Sequence, residues 1–312
     1  MQRLRAYSIE LVLVGILLLA VVFFGYLAYG LLRPEVVNEP FSGEKALANV
    51  ARQLEFGVRS TGTEGSQRTG DWLIEQLRML GWDVVIQPIT VGDTLAGRNI
   101  IGVRSPAQAG APVALLATHY DTRLVADADP DAALQATAPL GANDSASGVA
   151  VLLELARTLD IDAAGHTVCL AFFDGEANDG LPGWPPHVGS QIFADSQPDS
   201  VPRCASPQSV IGLNRVGAAG QLFYHDAAAD SALQDALWQA ATDLGWGDTF
   251  VAEIRPPDPG VQTPLQAAGA PTAAIAGLDY PYAATTLDTQ DKLDAVTLER
   301  VGRTLEAWLE GE

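Results

Sequence analysis

Pro112-Val-Ala-Leu-Leu-Ala-Thr-His-Tyr-Asp-Thr122 decides how the rest of this chain is read. Its first half is apolar and rich in residues that suit a pleated surface, so it reads as a buried strand of a parallel sheet over residues 112–118. The run ends in His119-Tyr120-Asp121. Side chains alternate along an extended chain, so His119 and Asp121 point the same way. An imidazole with a carboxylate beside it, at the C-terminal end of a buried strand, is the pattern of a metal ligand and its orienting partner. Open α/β sheets place their ligand sites at that end of the strands.

Periodic segments extend outward from this strand on both sides. Upstream, Ser42 is placed to cap a helix over about 44–55, with Ala46, Val50 and Leu54 on one face. A second helical pattern over 66–80 carries Trp72, Leu73, Leu77 and Leu80 and stops at Gly81. Residues 82–89 and 98–103 read as paired strands. Downstream, a long Ala-, Asp- and Pro-rich loop over 122–142 leads to Gly141-Ala-Asn-Asp-Ser-Ala-Ser-Gly148 and a helix over 149–159. Residues 166–173 form another buried strand pattern, ending in Asp174-Gly-Glu176. A short helix is expected from 189, strands at 210–216, 221–224 and 270–278, and helices at 231–244 and 299–310. Strands alternating with helices predict an α/β fold with one largely parallel central sheet and helices on both faces.

The chain has 312 residues and a net charge of −20, with lysine only at Lys45 and Lys292. Such an acidic surface argues against nucleic acid as a partner. Residues 11–32 carry no charge and are long enough to cross a hydrocarbon core of roughly 30 Å. Arg3 and Arg5 precede this run, whereas Arg33 and Glu35 nearly cancel after it. The positive-inside rule then gives a cytoplasmic N-terminus at 1–10, a transmembrane anchor at 11–32, a proline-containing tether at 33–41 and an extracytoplasmic domain at 42–312. Cys169 lies in an apolar strand pattern and reads as a core residue; the spacing does not decide whether it is bridged to Cys204.

Five stretches in order carry a resemblance: Thr118-His-Tyr-Asp-Thr-Arg123, Gly141 to Gly148, Phe172-Phe-Asp-Gly-Glu176, Leu181-Pro-Gly-Trp184 with Gly189-Ser190, and Asp279-Tyr-Pro-Tyr282 with Asp288 to Leu293. Together they resemble the co-catalytic zinc exopeptidases that include bacterial leucyl aminopeptidases and glutaminyl cyclases. The resemblance implies that His119 binds one zinc and Asp121 orients it. It implies that Asp144 bridges two zincs and that Glu176 is the general base or proton shuttle. Trp184, Tyr280, Tyr282, Gln262 and Arg215 are expected around the pocket.

Three positions depart from that pattern. The acidic residue expected after the base is Ala177, the Asp expected at the end of the next core strand is Asn214, and the His expected in the C-terminal loop is Ala284. The four histidines are His119, His166, His187 and His225, so none follows position 225. His187 reads as a surface residue. Catalytic zinc usually takes three good protein ligands, and His119 and Asp144 supply two. The expectation is therefore a membrane-anchored relative with a degenerate metal site, no working zinc, and a binding role toward a peptide or partner protein. The alternative is an enzyme with a reduced one-metal site that adds Asn214 or Asp179. On this reading, Ala177→Glu, Asn214→Asp and Ala284→His together restore zinc binding.

Overall fold

The computed structural model describes residues 14–21, 23–24 and 39–311. The chain divides into two units, 1–39 and 40–312. In the first, residues 14–21 and 23–24 are helical, and most of their side chains are exposed. The rest of the expected anchor at 11–32 lies outside the described residues. Among the described residues no helix is long and apolar enough to cross a membrane.

The second unit is built on a six-stranded sheet. Its strands are β1 (Asp83–Val91), β2 (Leu95–Arg104), β3 (Val113–His119), β4 (Thr167–Phe173), β5 (Ser209–Asn214) and β8 (Thr272–Ala276), in the order β1-β2-β4-β3-β5-β8. β4, β3, β5 and β8 run parallel, and β1 and β2 add antiparallel strands at one edge. β3 lies between β4 and β5, which is why its residues read as a continuous apolar run.

Alternation along β3 sends Ala114 and Leu116 into one core and Leu115 and Ala117 into the other. β4 divides the same way, with Val168, Leu170 and Phe172 on one face and Cys169, Ala171 and Phe173 on the other. The first face is covered by α1 (Gly43–Leu54), α3 (Ala146–Thr158), α6 (Ser231–Asp243) and α8 (Ala295–Glu310). The other carries α5 (Val188–Ser200) and α7 (Thr263–Ala267). Each leucine withdrawn from water contributes about 2 kcal/mol, so the two-sided burial of β3 fixes the middle of the sheet. Gly148 lets α3 close onto this strand, because a Cβ there would lie 2.2 Å from Thr118 Oγ1.

Several local expectations change. α2 (Glu64–Met79) starts at a Thr63 cap whose side chain accepts from Ser66 N, two residues earlier than the apolar spacing suggests. A two-stranded parallel ribbon of β6 (Phe223–Asp226) and β7 (Phe250–Arg255) lies apart from the main sheet. β7 has exposed residues through its middle, so its pattern carries no burial signal. α4 (Ile161–Ala164) and α7 are each a single turn or little more, too short for a periodic signature. Cys169 and Cys204 are joined in a disulfide that ties β4 to the turn Pro202–Cys204.

The 122–142 segment is folded without a helix or strand. Ala126 N donates to Thr137 O (2.8 Å), and Asp129 Oδ2 accepts from Thr286 N (2.8 Å) and its hydroxyl (2.6 Å). Arg59 is fully buried beneath it. Its guanidinium donates to the carbonyls of Tyr120 (3.1 Å), Leu140 (2.8 Å) and Gly141 (2.8 Å), so one side chain joins the end of β3 to the loop that presents Asp144.

Candidate functional site

A cavity of about 320 Å³ opens at the C-terminal ends of β3, β4 and β5. The sheet places His119 there at the end of β3, Glu176 just after β4, and Asn214 and Arg215 at the end of β5. Asp144 reaches it from the loop before α3, and its peptide bond to Ser145 is cis.

Asp121 is fully buried and does two tasks. Its Oδ1 lies 3.2 Å from His119 Nδ1, which turns the imidazole's other nitrogen toward the cavity. Its Oδ2 accepts from the backbone N–H groups of Glu176 (3.1 Å) and Ala177 (2.9 Å), tying the β4 turn to β3. His119 Nε2 lies 3.2 Å from Asp144 Oδ1. Burial opposes a charge on His119, but its hydrogen bonds to Asp121 and Asp144 outweigh it and hold the pKa up at about 10. Burial likewise opposes the Asp144 carboxylate, and the His119 hydrogen bond and the Arg215 charge together hold it well below the usual range.

Glu176 is engaged at both oxygens. Oε1 accepts from Ser190 N (2.7 Å) in the first turn of α5, a favourable place for a carboxylate. Oε2 lies 3.3 Å from His187 Nδ1, and that bond raises the histidine's pKa. His187 is therefore not the surface residue its Pro-rich surroundings suggest. Its backbone is left-handed at φ 53°, which turns the ring into the cavity. Arg215 (φ 54°) and Ala284 (φ 55°) share that conformation and also line the cavity. Three left-handed non-glycine residues around one cavity is the kind of strain that folds concentrate at functional sites.

Arg215 turns inward. Its Nη2 lies 2.5 Å from Asp258 Oδ2, its Nη1 3.6 Å from Asp144 Oδ2, and its Nε donates to Gly277 O at 3.2 Å. Asn214 Nδ2 donates to the same Asp258 oxygen at 3.2 Å. Asp288 underpins the Asp144 loop: Oδ1 accepts from Asn143 N (2.8 Å) and Tyr280 OH (2.6 Å), and Oδ2 from Asp144 N (3.0 Å). Burial pushes Asp288 up to about 6.

Other expected pocket residues sit elsewhere. Trp184 packs beside Ile89, Val91 and Val188. Tyr280 and Tyr282 stack edge to face, 5.6 Å apart, and line a neighbouring groove with Tyr224 and Lys292. Gln262 is buried under the cavity wall, its Nε2 donating to Asp258 O at 3.2 Å. Arg123 and Asp179 do reach the cavity; Arg123 Nη1 donates to the carbonyls of Ala177 and Asp179. His225 stands edge-on to Trp238 at 4.9 Å. Asp258 carried no sequence signal, because its Pro-Pro-Asp-Pro-Gly setting reads as an ordinary turn.

Two of the donors that the resemblance assigns to zinc lie together in the cavity. A separation of 3.2 Å between His119 Nε2 and Asp144 Oδ1 suits two donors on one tetrahedral ion, so the pair itself is compatible with metal. Ala177 and Ala284 line the cavity where the resemblance expects a carboxylate and an imidazole, while Glu176, Asp179 and His187 line it at other positions. Among the described residues no group of three or more His, Cys, Asp or Glu side chains is arranged to hold a metal ion.

Residues 99–309 match the family described as Peptidase family M28. The structure is similar to that of a Zn-dependent exopeptidase from Parabacteroides distasonis, with a TM-score of 0.80 and 28% identity, covering 88% of this chain and 99% of that one. It is similar to Tannerella forsythia glutaminyl cyclase at a TM-score of 0.79 and 30% identity, covering 88% and 100%. A mouse glutaminyl-peptide cyclotransferase-like protein is 30% identical over 186 residues, or 54% of this chain and 46% of that protein. The chain thus spans about half the length of this curated relative. With the match running over residues 99–309, more than half of its length, the chain belongs to peptidase family M28.

Proposed function

We propose that this protein is a membrane-anchored, extracytoplasmic M28-fold protein whose cleft binds a ligand rather than catalysing zinc-dependent hydrolysis or cyclisation. The observation that carries the reading is the pair of alanines, Ala177 and Ala284, facing a cavity that stays open at about 320 Å³. Lost donors without a collapsed cleft favour retained binding. The ligand fits as a peptide terminus or a short segment of a partner protein, because the lining mixes apolar Pro139, Leu213 and Val261 with charged side chains of both signs. Residues 11–32 supply the anchor, and the Cys169–Cys204 disulfide suits an oxidising compartment outside the cytoplasm.

One observation favours the rival reading of a reduced one-metal enzyme. Asn214 Oδ1 is buried and has no hydrogen-bond partner, which leaves a neutral oxygen free to join His119 and Asp144. Activity assays separate the two readings. Dipeptides and peptides with N-terminal glutamine, incubated with the full chain and zinc, cobalt or manganese, should show no turnover above the metal-only control. Turnover that disappears in Glu176→Gln would establish the enzyme instead.

A further inference from the structure

We infer that the Arg215 guanidinium is a built-in replacement for metal charge in this cleft, and that it excludes a divalent ion even when ligands are restored. The inference rests on the proposed loss of zinc and adds its physical cause. Arg215 lies only 16% exposed at the side chain, within 3.6 Å of Asp144, the carboxylate expected to bridge two metals. Asp258, Arg215 and Asp144 alternate in charge across the cleft. Asp144 thus has a fixed cation beside it without any ion. Guanidinium suits the position, since it stays charged on burial and its fork donates to several acceptors at once. Here the fork serves Asp258, Asp144 and the Gly277 carbonyl together.

Position 214 belongs to the same arrangement. Asn214 donates through Nδ2 to Asp258 Oδ2, the oxygen that Arg215 also holds. An aspartate at 214 would set a second carboxylate about 3 Å from Asp258, a repulsion that only added positive charge relieves. Asn214, Arg215 and Asp258 are therefore mutually consistent: the amide is what the loop carboxylate requires, and the arginine neutralises both Asp258 and Asp144. The left-handed backbone of Arg215 is what aims the side chain inward.

This changes the outcome expected of ligand restoration. A doubly charged ion about 5 Å from a fixed guanidinium is repelled strongly enough, even at an effective dielectric of about 20, to lose several orders of magnitude in affinity. The test compares the full chain in detergent as wild type, as the triple variant Ala177→Glu/Asn214→Asp/Ala284→His, and as that triple with Arg215→Ala, Arg215→Gln or Arg215→Lys. Zinc per chain after equilibration in buffered zinc, and melting temperature with and without chelator, are the readouts. The triple and its Arg215→Lys form should stay zinc-poor. The Arg215→Ala and Arg215→Gln forms should bind zinc at least about 1,000-fold more tightly than the triple, on the order of the repulsion removed, and melt higher with it. Circular dichroism establishes which variants are folded, and either neutral substitution suffices for the comparison. Zinc bound by the triple as tightly as by the neutral variants would overturn the inference, as would a folded neutral variant that binds none. A zinc-free wild type beside a zinc-loaded triple overturns this inference alone; metal-dependent turnover by the wild type overturns the function proposed above.

Discussion

Arg59→Met should remove about 4 kcal/mol of stability, and the structure shows why the figure is that large. The arginine is completely buried and makes its three hydrogen bonds to the carbonyls of Tyr120, Leu140 and Gly141. Hydrogen bonds to a charged donor are worth about 1.5–3 kcal/mol each, and methionine fills most of the volume but donates nothing. Gly141 O keeps its bond from Ala146 N, so the loss falls mainly on the other two carbonyls. Burial lowers the Arg59 pKa to about 10, with Asp288, Asp121 and Asp144 opposing that fall, so the group is still charged at neutral pH. Removing it also takes away attraction to those carboxylates. The sum lies in the range for breaking a buried charged network, about 3–5 kcal/mol. In thermal unfolding followed by circular dichroism that amounts to a drop of about 10 °C. Arg59→Lys, which keeps the charge but loses the fork, should fall between. A Met variant within about 1 kcal/mol of wild type would mean that the guanidinium does not hold the Asp144 loop to β3, and the account of that loop would be wrong.

Gly302→Ala should destabilise by about 2 kcal/mol, since its Cβ would lie 2.1 Å from the Phe41 ring; in a Phe41→Ala background the penalty should vanish in denaturant titrations. Reducing the Cys169–Cys204 bridge, which closes a loop of sequence separation 35, should lower stability by about 3–4 kcal/mol, and unchanged urea midpoints with and without reductant would contradict this. Asp288 gives a pH signature. Its pKa is raised from 3.8 to about 6 on folding, so across that window the native state holds a proton the unfolded chain has released. Stability from this group therefore falls as pH rises from about 4 to 6, by up to about 3 kcal/mol. Asp288→Asn should flatten that part of the stability–pH curve.

The sheet was readable because β3 and β4 are buried on both faces and so lack polar interruptions. Their ends carry polar residues in a spacing that alternation alone interprets: His119 and Asp121 do lie side by side. The anchor of α2 at Thr63 and the single-turn helices α4 and α7 were less legible, because caps and short turns leave little periodic trace. The site was readable only as far as residues on strand ends. His187 and Asp258 lie in proline-rich loops, where direction depends on individual backbone angles that sequence spacing does not fix. The same holds for Trp184, Tyr280 and Tyr282, which lie beside Ile89, Val91 and Val188 or along the neighbouring groove instead of in the cavity lining. Arg59 gave no signal: an arginine in a Gly- and Thr-rich loop reads as solvent-facing, and only the converging carbonyls explain its burial.

Zinc content of the full wild-type chain, purified without chelator and equilibrated with buffered micromolar zinc, bears most directly on the cleft chemistry. Elemental analysis should find far less than one ion per chain, with a melting temperature that zinc does not change. One or two tightly held zinc ions per chain, lost in His119→Ala and Asp144→Ala, would show that the two retained donors suffice and that Arg215 does not stand in the metal's place.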